Sequence, residues 1–393
     1  MRTIKEFNLK GKRVLVRSDF NVPLSDKGEI LDDFRIKESI RTIEYLIKKE
    51  AKVILMSHLD RPKNKDPRYS LRYLAKRLEK LLNEKVKFLD DCLGEKVERE
   101  IEKMKPGEIL LLENLRFHKE EEKGDLNFAK KLAKLGDVYI NDAFGASHRS
   151  HASIVGVPKY LPSGAGLLLE KEINVLSQVL ERPWRPLVAI IGGIKIDTKI
   201  KLIEQFLKKA DHLLLGSKPA ESLLIVKGIL IGRPFFEEKE VLEKIEKINL
   251  ANPKLHLPVD GQMALSTLQE QYFRIGAIGT LRKEEEVFDI GPETRKVFVG
   301  IIKSAKMIIW NGPLGMFEKE PFDKGTKEIA EAIVRNHTAF KIAGGGDTVS
   351  LISKLDLLDK FDHISTGGGA MLEFLAGEKL PGLEALNYGY KKS

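Results

Sequence analysis

The sequence contains one cysteine, Cys92, in 393 residues. That excludes an internal disulfide framework and fits a reducing compartment. Together with the spacing of the histidines, it also argues against a His–Cys zinc cluster. Long apolar runs are missing: none approaches the roughly 18 residues needed to span a bilayer. The opening MRTIKEFNLKGKR is charged and lacks the apolar core of a signal peptide. A soluble, cytoplasmic protein with no membrane partner is expected. Basic residues outnumber acidic ones, 67 to 58, for a net charge of +9, yet there is no basic tail and no Arg-rich block. Charge dispersed in this way suits small anionic ligands at least as well as nucleic acid, so a nucleic-acid partner is not expected. Several catalytic signatures are absent too. There is no GxxxxGK(S/T) phosphate loop and no GxGxxG after a strand. No GxSxG or Cys–His nucleophile arrangement is found.

A chain of this length exceeds one ordinary core, and two domains of about 150–200 residues are the natural division. A hydrophobic content of 42% is enough to fill both. Short apolar runs alternate with helical patterns from end to end. The strand candidates of the first half are 13–19, 51–58, 87–90, 108–114 and 137–142. Those of the second half are 186–193, 212–216, 255–260, 305–312, 340–346 and 363–369. Near-continuous apolar strands separated by helices predict βαβ units with a parallel sheet covered on both faces. The fold class is therefore α/β: two doubly wound, three-layer domains joined by a helix near YLPSGAGLLLEKEINVLSQVLERPW. The boundaries are placed at 1–169 and 170–379.

Ligands of doubly wound folds bind at the carboxyl ends of the strands. In the first half those ends carry Asp19 and Asn21, His58 and Arg61, Arg116, and Arg149 with His148 and His151, while Arg35 opens a helix. One arginine after a strand is an ordinary surface residue. Four in equivalent positions predict a shared pocket for phosphate or carboxylate, which the guanidinium fork suits. In the second half the strand ends are glycine-rich: IIGGIK, WNGPLGMFE, IAGGGDT and ISTGGGA. Glycine lets backbone N–H groups approach an anion, and a helix N-terminus adds a favourable dipole. With Lys195, Lys199 and Asp347, these turns predict a nucleotide polyphosphate site with Mg²⁺. The stretch IIGGIKIDTKI also reads as the start of an amphipathic helix. Its buried stripe would be Ile196, Ile200, Ile203 and Phe206, with Lys195 and Lys199 one turn apart on the other side. An anion pocket in each half suggests phosphoryl transfer between two substrates.

VRSDFNVPL, SHLDRP, LLENLRFHKEE, NDAFGASHRSHAS, WNGPLGMFE, AGGGDT and STGGGAMLEFLAGEKLPGLEAL, in this order, closely resemble the signature segments of the phosphoglycerate kinase family. The resemblance implies a two-lobed, hinge-bending, monomeric glycolytic enzyme. It transfers a phosphoryl group from the acyl phosphate of 1,3-bisphosphoglycerate to Mg-ADP, giving 3-phosphoglycerate and Mg-ATP. It further implies that Asp19, Asn21, Arg35, His58, Arg61, Arg116 and Arg149 hold the phosphoglycerate. Lys195 would meet the phosphoryl group in flight, with Arg35 as the second catalytic residue. Lys199, Gly345, Gly346 and Thr348 would contact the nucleotide, Glu318 the ribose and Asp347 the Mg²⁺. Gly346 and Gly368 would supply backbone donors to the transferring group. The segment 380–393 would return to the N-terminal lobe.

Four segments depart from the family's pattern. Asp60 stands where the family usually has glycine, adding a carboxylate beside the arginines. Ser217-Lys218-Pro219 replaces glycines that would let adenine lie on the backbone; drift in a loop that tolerates change is the favoured reading, and altered nucleotide use, for example GDP or a polyphosphate donor, is the alternative. Asp260 is kept, but the stretch from there to Asp289 matches poorly. Ile194 replaces a usual alanine. A catalytically weak homologue kept as a binding protein is the competing reading, and the intact Arg35, Lys195, Lys199, Glu318 and Asp347 argue against it.

Overall fold

The computed structural model describes residues 1–25, 27–230, 239–265 and 273–390. The chain divides into two compact units, Met1–Asn174 with Lys379–Ser393, and Val175–Glu378. The first contains β1 (Arg13–Arg17), β2 (Lys52–Met56), β3 (Val86–Phe88), β4 (Ile109–Leu111), β5 (Val138–Asn141) and β6 (Ser163–Ala165). They form one sheet in the order β3-β4-β2-β1-β5-β6, every neighbouring pair parallel. The helix Phe34–Lys48 shows how the layers form. Ile36, Ser39, Ile43 and Leu46 are buried at three- and four-residue spacing, so one face meets the sheet. Its apolar residues join Val14, Val16, Val53, Leu55 and Ile140 in one cluster. Cutting such a buried Ile or Leu to Ala costs about 2–5 kcal/mol. The chain from Lys379 belongs to this unit: the Gly382 N–H donates to the Ser147 carbonyl at 2.8 Å.

The second unit contains β7 (Leu187–Ile191), β8 (His212–Leu215), β9 (Leu255–His256), β10 (Asp260–Leu265), β11 (Phe273–Ala277), β12 (Glu285–Ile290), β13 (Met307–Asn311), β14 (Phe340–Gly344) and β15 (His363–Ser365). Six of these make a parallel sheet in the order β15-β14-β13-β7-β8-β9. The other three form a separate antiparallel sheet, β11-β10-β12. That small sheet is not signalled by the sequence. The run 255–260, read as one strand, is broken: β9 stops at His256 and Asp260 opens β10. Asp260 then caps the helix Pro292–Ser304, accepting from the Glu293 and Thr294 N–H groups at 3.0 and 2.8 Å.

The division between the units falls within the helix Leu167–Glu181. Its first turn rests on buried Asp142, whose Oδ1 accepts from the N–H groups of Leu168 and Leu169 at 3.0 and 3.2 Å. Burial pushes the Asp142 carboxyl up to about 6. Among the described residues, no helix is long and apolar enough to cross a membrane.

Candidate active site

In the first unit the strand order changes direction between β1 and β5, and the loops beyond the strands gather along one edge. Asp19 and Asn21 follow β1, His58 and Arg61 follow β2, Arg116 follows β4, and Arg149 follows β5. Buried Asp19 accepts from Arg35 Nη1 at 2.9 Å and from the Asn21 N–H at 3.2 Å. The Asn21 side chain accepts from the Asp60 N–H at 2.8 Å, and Arg116 Nη1 donates to the Asp60 carbonyl at 2.6 Å. Asp19, Asn21, Arg35 and Arg116 are thus joined in one chain of hydrogen bonds that passes through the backbone of Asp60. The Arg61 side chain is exposed, and Arg149 is half-buried.

His58 belongs to a deeper layer. Its Nδ1 lies 3.2 Å from Nη2 of Arg17, which is fully buried at the end of β1. Arg17 Nε donates to the Ser153 hydroxyl at 2.8 Å, and that hydroxyl donates to Glu121 at 2.6 Å. Burial, and then the nearby Arg17 and Arg116, hold the His58 imidazole well below its ordinary range. Burial and neighbouring arginines also lower His148 to about 4 and His151 to about 3. All three are neutral at pH 7, so the positive charge here comes from the arginines.

In the second unit the order reverses between β7 and β13, and each of these strands ends in a glycine turn, at Gly192 and Gly312. The two turns touch: a Cβ on Gly192 would collide with the Pro313 carbonyl, and one on Gly312, at φ +92°, with the Gly192 carbonyl. Lys199 Nζ donates to that same Gly192 carbonyl. Lys199 is only 7% exposed, and burial lowers its ammonium to about 8 against the opposing charge of Asp347. The expected helix starts later than its pattern suggests. It runs Ile200–Lys209, with Lys199 as the N-cap and a turn before it. Ile196, Ile200, Ile203 and Phe206 are buried as the stripe requires, while Lys195 and Ile194 are exposed. The two lysines therefore do not share a helical face. One is sunk beneath the glycine turns and the other stands in solvent.

Beyond β14, Gly345 sits at φ +97° and caps the helix Gly346–Lys354. Gly346, Asp347 and Thr348 form its first turn, where unpaired N–H groups and the helix dipole favour an anion. The Thr348 hydroxyl accepts from the Gly312 N–H at 2.7 Å, tying this helix to the glycine turns. Asp347 is exposed, and its carboxylate is the hard oxygen donor that Mg²⁺ takes alongside phosphate. The residues fit that ion. Gly368, at φ +49°, caps the helix Gly369–Leu375 beyond β15. Glu318 is exposed in the loop after β13.

Two departures have a local account. Asp60 adopts a left-handed φ of +53°, a conformation glycine enters freely and aspartate tolerates. Its Oδ1 accepts from the Arg61 N–H at 2.8 Å, so the added carboxylate is turned onto its own backbone. Ser217 is likewise left-handed at +49°, its hydroxyl donating to the Pro313 carbonyl at 3.0 Å, while Lys218 pairs with Glu221 at 3.1 Å. Asp289, at the poorly matched end of β12, is buried. It accepts from the N–H groups of Gly325 at 2.6 Å and Ile290 at 2.9 Å, and burial pushes its carboxyl up to about 7.

Sequence reasoning passed over Arg17, Ser153 and Glu121, although an arginine inside the apolar run RVLVR was a signal. It also passed over Asn311, whose side chain donates to the Gly344 carbonyl at 2.8 Å and binds the ends of β13 and β14 together.

A sequence-family model described as phosphoglycerate kinase matches residues 4–378. Phosphoglycerate kinase of Dictyoglomus turgidum is 48% identical over 386 residues, covering 98% of this chain and 97% of that protein. The Moorella thermoacetica phosphoglycerate kinase is 47% identical, with 98% of each chain covered. The solved structure of phosphoglycerate kinase from Coxiella burnetii superposes with a TM-score of 0.84 at 37% identity, covering 98% of both chains. By full-length sequence, by fold and by the segments at its strand ends, the chain belongs to the phosphoglycerate kinase family.

Proposed function

We propose that the strand ends of the first unit hold phosphoglycerate and those of the second hold the nucleotide, in one phosphoryl-transfer enzyme. The reaction is reversible transfer from the acyl phosphate of 1,3-bisphosphoglycerate to Mg-ADP, giving 3-phosphoglycerate and Mg-ATP. The observation that carries the division of labour is the placement of every candidate residue beyond the carboxyl end of a parallel strand. Asp19, Asn21, Arg35, His58, Arg61, Arg116 and Arg149 are assigned to phosphoglycerate, Lys199, Glu318, Gly345, Gly346 and Thr348 to the nucleotide. Asp347 would hold Mg²⁺, which supplies charge neutralisation on the phosphates when bound.

In the ATP-consuming direction the attacking group is a carboxylate with an ordinary pKa of about 4, already ionised at neutral pH. No general base is needed, which agrees with a pocket of neutral histidines. The obstacle is repulsion between an anionic nucleophile and an anionic phosphate. Arg35, held by Asp19, and Lys195 would place positive charge on the group in transfer, with the Gly346 and Gly368 N–H groups as further donors. Exposed Lys195 has the freedom to follow the moving group, while buried Lys199 is fixed for a static phosphate contact. Hinge bending, a monomeric state and a cytoplasmic location are included in this proposal. A coupled assay of ATP formation tests the activity, and ADP and 3-phosphoglycerate titrations of Lys199→Met and Arg116→Met test the division. Each variant should weaken one ligand and spare the other.

A further inference from the structure

We propose that the first unit also carries a binding site for a thiophilic divalent cation of the zinc(II) class, formed by Asp91, Cys92 and His118. A carboxylate oxygen, Cys92 Sγ and a ring nitrogen of His118 all lie within 4.8 Å of one another. The single cysteine and the spacing of the histidines argue against a His–Cys zinc cluster in the sequence, where 25 residues lie between Cys92 and His118. The sheet removes that separation. β3 and β4 are parallel neighbours with Phe88 opposite Leu111, so the loops that leave them emerge side by side. The Leu89 N–H donates to the Leu111 carbonyl at 2.9 Å and continues the pairing toward Asp91. His118 ends the short turn Leu115–Phe117 in the second loop.

The donor set is one sulfur, one imidazole nitrogen and one carboxylate oxygen, which selects zinc, cadmium or cobalt over magnesium. Three protein ligands leave a fourth, open position for water, as in non-structural zinc sites. Exposure matches that plan: Cys92 is fully buried as the floor, while the Asp91 and His118 side chains are 40% and 32% exposed at the mouth. Tetrahedral bonds of about 2.0–2.3 Å put ligand atoms roughly 3.3–3.8 Å apart, so a separation near the 4.8 Å limit closes by about 1 Å while the His118–Asp91 pair opens by about 0.5 Å. At present His118 Nε2 lies 2.8 Å from Asp91 Oδ1. The ion enters by replacing that hydrogen bond: the proton leaves His118 Nε2 for solvent, Nδ1 carries the ring's one proton through solvent exchange, and the neutral imidazole offers its Nε2 lone pair. At Cys92 the S–H bond breaks, a sulfur–metal bond forms, and the proton leaves to solvent. Lys65 Nζ, 3.6 Å from Asp91 Oδ2, is the cation that competes for this carboxylate.

Cobalt(II) is the probe, added to chelator-treated full-length protein. One equivalent should bind and give a thiolate-to-cobalt charge-transfer absorption, which reports on Cys92 because the chain has no other cysteine. Zinc(II) should abolish the band, and a large excess of Mg²⁺ should not. Cys92→Ser should lose the band, and His118→Gln should weaken cobalt binding at least about tenfold. His118 is partly exposed, so its variant carries the test even if Cys92→Ser fails to fold. Saturating zinc should also raise the Tm of the wild type by at least about 2 °C. Absence of the band, its survival in Cys92→Ser, or unchanged cobalt affinity in His118→Gln would overturn the site.

Discussion

The backbone N–H of Asp60 donates to the side chain of Asn21 at 2.8 Å, and Asp60 does so from a left-handed φ of +53°. A residue without a Cβ enters that conformation at no steric cost, whereas an L-residue gives up about 1 kcal/mol. Against this, the Asp60 carboxylate accepts from the Arg61 N–H, a bond worth about 1 kcal/mol. Asp60→Gly should therefore leave stability within about 1 kcal/mol of the wild type. It also removes a negative charge beside Arg61 and Arg116, so 3-phosphoglycerate should bind about two- to fivefold more tightly, the scale of one solvent-exposed charge pair. Thermal melting and a 3-phosphoglycerate titration check both parts. Weaker binding in the variant would mean that the Asp60 side chain itself contacts the substrate.

Lys195 is exposed and Lys199 is buried, and the two should fail differently. Lys195→Ala should lower kcat by about 10²–10³-fold, the loss expected for one donor aimed at the transferring group. Its KM for ADP should change little. A rise in KM with kcat intact would remove Lys195 from the chemical step.

Burial holds Lys199 near 8 in the absence of ligand, and bound polyphosphate should raise it again. ADP affinity should thus decline as pH rises above about 8, and ADP binding near pH 8 should be accompanied by proton uptake. Calorimetry in buffers of different ionisation enthalpy measures that uptake. Lys199→Met should abolish it.

Asp289 makes the opposite kind of contribution. Its folded-state pKa of about 7 lies above the ordinary carboxyl value of 3.8, so the folded protein holds this proton more tightly than the unfolded chain. The resulting stability is complete below about pH 4 and is lost as pH rises through 7. Asp289→Asn keeps a side-chain oxygen to accept from the Gly325 or Ile290 N–H and has no charge to bury. Its melting temperature should fall less between pH 5 and pH 8 than that of the wild type. Equal slopes would place the titration elsewhere.

These contrasts show where the sequence was informative. Parallel strands buried on both faces are continuous apolar runs, so eleven of them stand out from VRSD to HIS. Their carboxyl ends then locate the candidate residues without any coordinates, because the fold sends every loop after a strand to the same edge. The small antiparallel sheet is different. Its β11 alternates exposed and half-buried residues, and in the first unit's parallel sheet the edge strand β6 is Ser-Gly-Ala, so neither carries an apolar signature. The start of the helix at Ile200 was also hidden: the apolar period of Ile196, Ile200 and Ile203 continues through a turn that is not helical. Contacts between distant segments were the least legible. The Arg17–Ser153–Glu121 chain and the Asp91–Cys92–His118 group depend on which strands are neighbours, which periodicity does not state.

The central claim is that this chain makes ATP by phosphoryl transfer from an acyl phosphate, with Lys195 on the moving group. Its most direct test is the coupled assay of ATP formation from 1,3-bisphosphoglycerate and Mg-ADP, run on wild type and Lys195→Ala side by side. The account predicts turnover by the wild type and a fall of about 10²–10³-fold in the variant's kcat. No ATP from a wild-type protein that binds both substrates, or equal kcat in the two proteins, would contradict it.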